Sequence, residues 1–275
     1  MNTLKNRIKN TLWKLWMLRG MQLLNDSSVF AVRMKQAIRD TIHNKINPEE
    51  KDWITRIEQI RKQFTANPTP VTILDFGAGN PNCQRSEEEM KQGAVSTTTY
   101  GEICLGSKPA LWALLLFKLI RAIQPEIAIE LGTCIGISAA YQSAAMLLNE
   151  KGHLISVEGS EAIADLAKKN LESLRLKNVE IRCGTFQEVL PEIFAKISVV
   201  DYIFIDGHHD EKATVAYFEA ALPHLSPNAL LVFDDISWSS GMRRAWEKIS
   251  KHPTVTLALD LKMLGICQIK KEIIE

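Results

Sequence analysis

The chain has 275 residues, with 33 Lys and Arg against 32 Asp and Glu, a formal net charge of +1. That balance gives no case for a nucleic-acid partner. The length suits one large domain, or one domain with an extension, that needs no disulfide staples. Five scattered cysteines (Cys83, Cys104, Cys134, Cys183 and Cys267), with no CxxC pair, argue against a zinc site and a disulfide framework and fit a reducing cytoplasm. No run of about 18 uninterrupted apolar residues is present, so no spanning helix is expected.

Residues 1–65 read as a helical N-terminal extension. The first 24 carry Lys5, Arg7, Lys9, Lys14 and Arg19 and no acid. Leu4, Ile8, Leu12, Leu15 and Trp16 recur at helical spacing, widened by Trp13 and Met17. Such a stripe packs on the body of the protein or on a second subunit, as most surface helices do. The rival use is to lie on an anionic membrane surface. Lys14 and Arg19 interrupt the apolar region and disfavour a secretory signal. A second helix is predicted over Pro48–Thr65, with Glu49, Glu50 and Asp52 near its positive end.

Residues 66–106 are loop-rich and open on Asn67-Pro68-Thr69-Pro70, a turn signal. The run VTILDFGAGNPN places Asp75, Gly77 and Gly79 like the acid and glycines of a nucleotide-binding turn. Asn80-Pro81-Asn82 and a charged stretch follow instead of a helix and a second strand ending in an acid, so 66–106 reads as a cover segment.

From 107 onward the pattern is regular. An apolar helix over 108–122 precedes predicted strands at about 126–131, 153–158, 178–183, 200–206 and 228–234. Helices alternate with them near 137–149, 160–174, 186–195, 211–224 and 240–251. That alternation predicts an α/β fold, a parallel sheet with helices on both faces. Val255–Leu259 and Met263–Ile269, split by Asp260-Leu261-Lys262, predict a closing hairpin with one antiparallel strand. The sheet is then Rossmann-like, seven-stranded and mostly parallel.

Ligands of such sheets bind beyond the carboxyl ends of the strands. Those ends read Glu130-Leu131-Gly132, Glu158-Gly159-Ser160, Gly184-Thr185-Phe186-Gln187, Asp206-Gly207-His208-His209-Asp210 and Asp234-Asp235. Polar and acidic residues therefore collect along one edge while the strand bodies are apolar. The turn from Glu130 to Ser138 has glycines at 132 and 136, where a backbone can bend and a ligand can approach. Glu158, ending the next strand, has the place of a carboxylate that accepts both hydroxyls of a ribose.

The succession ELGTCIGIS, VEGS, GTFQEVLPEI, FIDGHHD and VFDDISW resembles class I S-adenosylmethionine-dependent methyltransferases, most closely the catechol and caffeoyl-CoA O-methyltransferase branch. The resemblance covers about residues 96–270, and 107–275 reads as the methyltransferase domain. It implies that Glu130, Gly132 and Gly136 form the turn under the methionine moiety and that Ser138 starts its helix. Glu158 would hold the ribose, with Gly159 and Ser160 beside it, and Thr185, Phe186 and Gln187 would border the adenine. Asp206 would lie near the methionine end. The same branch commonly uses a divalent cation, so Asp206, Asp234 and Asp235 become metal candidates, for Mg²⁺ or Ca²⁺ by their oxygen chemistry. This chain has Asp235 where the branch has Asn.

Where the branch places a lysine base, three residues after the strand acid, this chain has His209, an imidazole able to take a hydroxyl proton. His208 is its rival, and Trp238 either walls an acceptor or simply packs. The expected activity is methyl transfer to a hydroxyl of a small-molecule acceptor by a cytoplasmic protein, peripheral at a membrane or oligomeric through its first helix. Two alternatives stand beside it. One is a silent protein that kept the fold. The other is an NAD-dependent oxidoreductase, disfavoured by the four-residue spacing of Gly132 and Gly136.

Overall fold

A computed structural model describes residues 2–24, 26–80 and 83–270. Three helices lead: α1 (Asn2–Leu23), α2 (Val29–Ile42) and α3 (Pro48–Thr65). A region of short elements follows: β1 (Pro70–Asp75), β2 (Gly79–Asn80), β3 (Cys83–Gln84), α4 (Glu87–Gln92), β4 (Ala94–Thr99) and α5 (Tyr100–Leu105). The alternating body then runs α6 (Ala110–Ile123), β5 (Ile127–Leu131), α7 (Ile137–Leu148), β6 (His153–Glu158), α8 (Glu161–Ser173), β7 (Val179–Cys183), α9 (Phe186–Lys196), β8 (Val200–Ile205), α10 (Glu211–Ala221) and β9 (Leu225–Phe233). It closes with α11 (Ser240–Ser250), β10 (Val255–Asp260) and β11 (Gly265–Ile269).

The main sheet has the order β10-β11-β9-β8-β5-β6-β7. Strands β5 to β9 pair in parallel, and β11 enters antiparallel between β9 and β10. This is the predicted sheet with its closing hairpin. The chain moves outward from β5 to β7, then returns to place β8 on the other side of β5. The switch point of the sheet is therefore the β5–β8 pair, where the carboxyl ends diverge and leave a crevice.

Each face of the sheet carries its own core. On one side α9, α10 and α11 cover Ile129, Ile203, Leu231 and Phe233. On the other, α6 and α7 cover Ala128, Tyr202, Phe204 and Val232, and the N-terminal helices join the same cluster through Trp13, Met17, Met34, Ile38 and Ile57. Trp13 meets Trp112 of α6 edge-on at 5.8 Å. A buried pair, Lys118 Nζ to Glu50 at 2.7 Å, fixes the start of α3 to α6, and Glu50 also closes the Asn47 capping box of α3. Strand β1, in the stretch predicted to be loop, pairs antiparallel with β4. Its apolar residues stand on a half-buried two-stranded ribbon, too short a signal for periodicity to separate from a loop. Pro81 and Asn82 lie outside the described residues.

Helix α1 is apolar on two opposite sides. Trp13, Met17, Gly20 and Leu24 turn toward the body, and a side chain at Gly20 would run into Leu261. The predicted stripe faces the other way: Ile8, Leu12, Leu15 and Trp16 are exposed, with Leu23 beyond them. The side chain of Leu4 lies outside the described residues. Packing on the body thus falls to the Trp13 and Met17 edge that widened the stripe, because a helix of this length presents two usable faces.

Candidate active site

A cavity of about 300 Å³ opens at the carboxyl ends of β5, β6, β7 and β8. Its floor is the turn after β5. Gly132 (φ +103°) and Gly136 (φ +84°) take left-handed conformations that favour glycine. A Cβ on Gly132 would overlap the carbonyl oxygen of Asp206, so this glycine is what lets the turns after β5 and β8 touch. The backbone N–H of Asp206 donates to Leu131 at 2.8 Å across the same seam.

Of the predicted cofactor residues, Gly132, Ser138, Glu158, Gly159, Ser160, Thr185, Phe186 and Asp206 line the cavity. Glu158 accepts hydrogen bonds from the backbone N–H groups of Cys134 (2.9 Å) and Ser160 (3.0 Å), which aim its carboxylate at the glycine turn. Burial pushes its pKa up. Glu130, Gly136 and Gln187 are not on the cavity wall. Glu130 is wholly buried behind the turn, accepting from Gln142 Nε2 (2.8 Å) and Ser156 Oγ (2.5 Å), and burial pushes its pKa up to about 7. Gly136 instead starts α7, against Ala167 of α8.

Above the floor, Ile73 to Gly77 form the facing wall. Leu74 N–H donates to Ser160 Oγ at 3.4 Å, Ala78 N–H donates to His208 O at 2.8 Å, and the Phe76 ring lies on Gly159. Asp75 pairs with Arg85 at 2.8 Å. The segment that imitates a nucleotide turn in sequence thus borders the same cavity from the opposite side.

The acidic end of the crevice gathers Asp206, His209 and Asp234, whose ligand atoms lie within 4.8 Å of one another. Asp235 follows Asp234 at φ +50° and is not part of that cluster among the described residues. A residue missed in the sequence completes it. Lys108 sits in the loop before α6, where Pro109 caps the helix, and its buried ammonium bonds Asp234 Oδ2 and lies 3.1 Å from Asp206 Oδ2. The same ammonium stands 5.6 Å over the Phe204 ring. The available signal was a lysine just before a strongly apolar helix, a placement that calls for a buried partner.

Charges follow from this packing. Burial alone would lower the Lys108 pKa, but the carboxylates of Asp206, Asp234 and Asp235 outweigh it, so the ammonium is held charged. Burial and the neighbouring Asp234 push Asp206 well up. Burial opposes ionisation of Asp234 too, yet Lys108 prevails and holds its pKa below the ordinary value. Burial and Asp234 push Asp235 up to about 7, a rise that Lys108 and Lys9 of α1 oppose. Asp234 Oδ1 is buried with no hydrogen-bond partner among the described residues.

The two histidines separate by geometry. His208 Nδ1 is engaged by Tyr217 Oη at 2.8 Å, and its ring meets Phe186 edge-on. His209 Nε2 lies 3.8 Å from Asp206 Oδ1, and burial lowers its pKa to about 4, so the ring is neutral at pH 7. Trp238 is half-buried and tilts against the His209 ring at 5.8 Å.

Comparison with known proteins gives this crevice its context. A family model described as a methyltransferase domain matches residues 129–236, from inside β5 to just beyond β9. The protein-L-isoaspartate O-methyltransferase of Thermotoga maritima is 34% identical over 110 residues, 40% of this chain and 32% of that protein. The chain thus spans about a third of the length of that relative. The O-methyltransferase from Bacillus cereus, solved in complex with SAH, is 25% identical, with a TM-score of 0.52 over 60% of this chain and 83% of that one. TomG from Streptomyces achromogenes, an O-methyltransferase solved with SAM, shares the fold at 22% identity and a TM-score of 0.52, over 60% and 82% of the two chains. Cofactor-bound Rv0187 from MTB shares it across 90% of this chain and all of that one, at 17% identity and a TM-score of 0.51. Residues 129–236 thus match a methyltransferase domain, on a fold shared with O-methyltransferases solved with SAM or SAH.

Proposed function

We propose that the chain transfers a methyl group from S-adenosylmethionine to a hydroxyl oxygen of a small-molecule acceptor. The observation that carries this reading is the join between the two halves of the crevice. A glycine turn and a buried ribose-type carboxylate, Glu158, open directly onto a neutral imidazole, His209, beside Asp206. Ser138, Thr185 and Phe186 line the cofactor half, and His209 and Trp238 mark the acceptor half. His209 takes the hydroxyl proton as the acceptor oxygen bonds to the methyl carbon. The carbon–sulfur bond breaks with its electron pair left on sulfur, giving S-adenosylhomocysteine, the methylated oxygen and an imidazolium. Positioning supplies most of the acceleration, because nucleophile, methyl carbon and sulfur must lie in line.

Calorimetry with S-adenosylmethionine and S-adenosylhomocysteine tests the cofactor half. Glu158→Gln keeps the shape and removes the charge-assisted bonds to the ribose. A loss of roughly 10- to 100-fold in affinity is expected, corresponding to about 1.5–3 kcal/mol. No binding by the unaltered protein would sink the reading.

We also propose that α1 docks the protein on an anionic membrane. Its outward side combines Ile8, Leu12, Leu15, Trp16 and Leu23 with Lys5 and Arg19, with no acid anywhere in residues 1–24. Apolar contact area next to unopposed positive charge matches a lipid surface better than a second copy of the same helix, whose charges would repel it. No helix among the described residues is long and apolar enough to cross a membrane. Cys104, Cys134, Cys183 and Cys267 are free thiols, which suits a cytoplasmic setting. Sedimentation with vesicles is the measurement that decides the docking.

A further inference from the structure

The site's resemblance to metal-assisted methyltransferases calls for a divalent ion among Asp206, Asp234 and Asp235, and the residues present do not fit one. An ion shared by Asp206 and Asp234 would need the space that the Lys108 ammonium fills, bonded to Asp234 Oδ2 and 3.1 Å from Asp206 Oδ2. Asp235 stands outside the cluster, and the third donor that does gather there is the His209 nitrogen. Mg²⁺ and Ca²⁺ prefer oxygen donors to a nitrogen. A divalent ion beside the buried ammonium would also bring like charges together where water cannot screen them.

We propose that Lys108 is the resident cation of this site and does for the acceptor oxygen what a divalent metal does elsewhere in the branch. The assignment rests on the proposed methyl transfer for its chemical meaning, but its geometry stands apart from it. Lys108 lines the cavity and reaches the acidic end from the loop that starts α6, so the cation arrives with the fold. Two of its contacts are spent on Asp234 and Asp206, and an ammonium has three N–H donors. The remaining donor is available to the acceptor oxygen as its proton passes to His209 and negative charge builds on it. An ammonium stabilises that charge as a hydrogen-bond donor and point charge, without the two-oxygen chelation that a metal offers. Asp234 fixes the ammonium in place, and its unpartnered Oδ1 leaves an acceptor for a second hydroxyl of the substrate.

The test is Mn²⁺ binding to the full-length protein, followed by electron paramagnetic resonance, alongside calorimetry with S-adenosylmethionine. The unaltered protein is expected to show no stoichiometric Mn²⁺ site up to about 1 mM, a bound of weak affinity. Lys108→Met removes the charge at nearly constant shape and is expected to bind Mn²⁺ at least about tenfold more tightly, a gain lost again when Asp234→Asn is added. One tight Mn²⁺ per unaltered chain, lost in Asp234→Asn, would overturn the proposal. So would a folded Lys108→Met protein that binds Mn²⁺ no better than its parent. If Lys108→Met does not fold, the measurement on the unaltered protein decides alone. Failure of S-adenosylmethionine to bind, with the Mn²⁺ results as expected, would remove the methyl-transfer reading and leave the cation assignment standing. Once an acceptor is in hand, EDTA should change the rate less than about twofold, because this cation cannot be chelated away.

Discussion

Glu130 and Glu158 end adjacent strands, and their surroundings give them different work. Glu158 reaches the cavity with backbone N–H groups steering it, whereas Glu130 is sealed behind the turn by Gln142 and Ser156. Spacing alone could not tell them apart, because the strand-acid-glycine pattern is the same whether the acid meets ligand or props the turn from behind. Burial raises the folded-state pKa of Glu130 from 4.5 to about 7, so the native state holds a proton that the unfolded chain releases. That contribution is fully present below pH 4.5 and is lost as pH rises through 7. Glu130→Gln keeps the acceptor for Gln142 and can donate to Ser156, which passes its own proton to Thr133, 2.6 Å away. It should stabilise the protein by about 1–3 kcal/mol at pH 8 and by much less at pH 4. Urea unfolding at the two pH values measures this, and an equal effect at both would refute a buried ionisation. Lys108 escaped the sequence for a related reason. Its partners lie 98 and 126 positions away (206−108 and 234−108), a separation that no local pattern reports.

Among the elements, the alternating body was legible almost throughout, since five strands and their helices repeat one hydrophobic rhythm and a glycine or an acid stands at or just after the carboxyl end of each strand. Elements that rely on tertiary partners were not. Strand β1 exists by pairing with β4, and α2 sits in a stretch read only as helical. Helix α1 was legible as a helix but not in orientation, because apolar residues occupy both of its sides. The exposed side gives its own expectation. The protein should sediment with phosphatidylglycerol vesicles at low salt, less at high salt, and little with phosphatidylcholine. Leu12→Glu with Leu15→Glu should cost about tenfold or more in partitioning, while leaving the buried Trp13 and Met17 contacts and S-adenosylmethionine affinity in place. Binding that ignores lipid charge would contradict the docking assignment, as would a lipid-free dimer abolished by the same pair of changes.

At the scale of the molecule, the sequence specified a sheet with a crevice, and the chain's return from β7 to β8 set which turns share it. The facing wall of the cavity and the loop carrying Lys108 both come from before residue 110, so that wall draws on the part of the chain that is hardest to read locally. Gly132 has a consequence at this scale. With no side chain between them, the turn after β5 and the backbone of Asp206 are in direct contact and joined by a hydrogen bond. On the proposed methyl transfer, cofactor and acceptor would contact the same piece of backbone, and their binding free energies are expected to be linked. Whatever factor S-adenosylhomocysteine adds to the affinity of an acceptor analogue, the analogue must return to S-adenosylhomocysteine. Calorimetry in both orders of addition should give that factor as about 5- to 150-fold, the span of ordinary coupling energies. Independent binding would mean that the two turns, though touching, do not speak to each other.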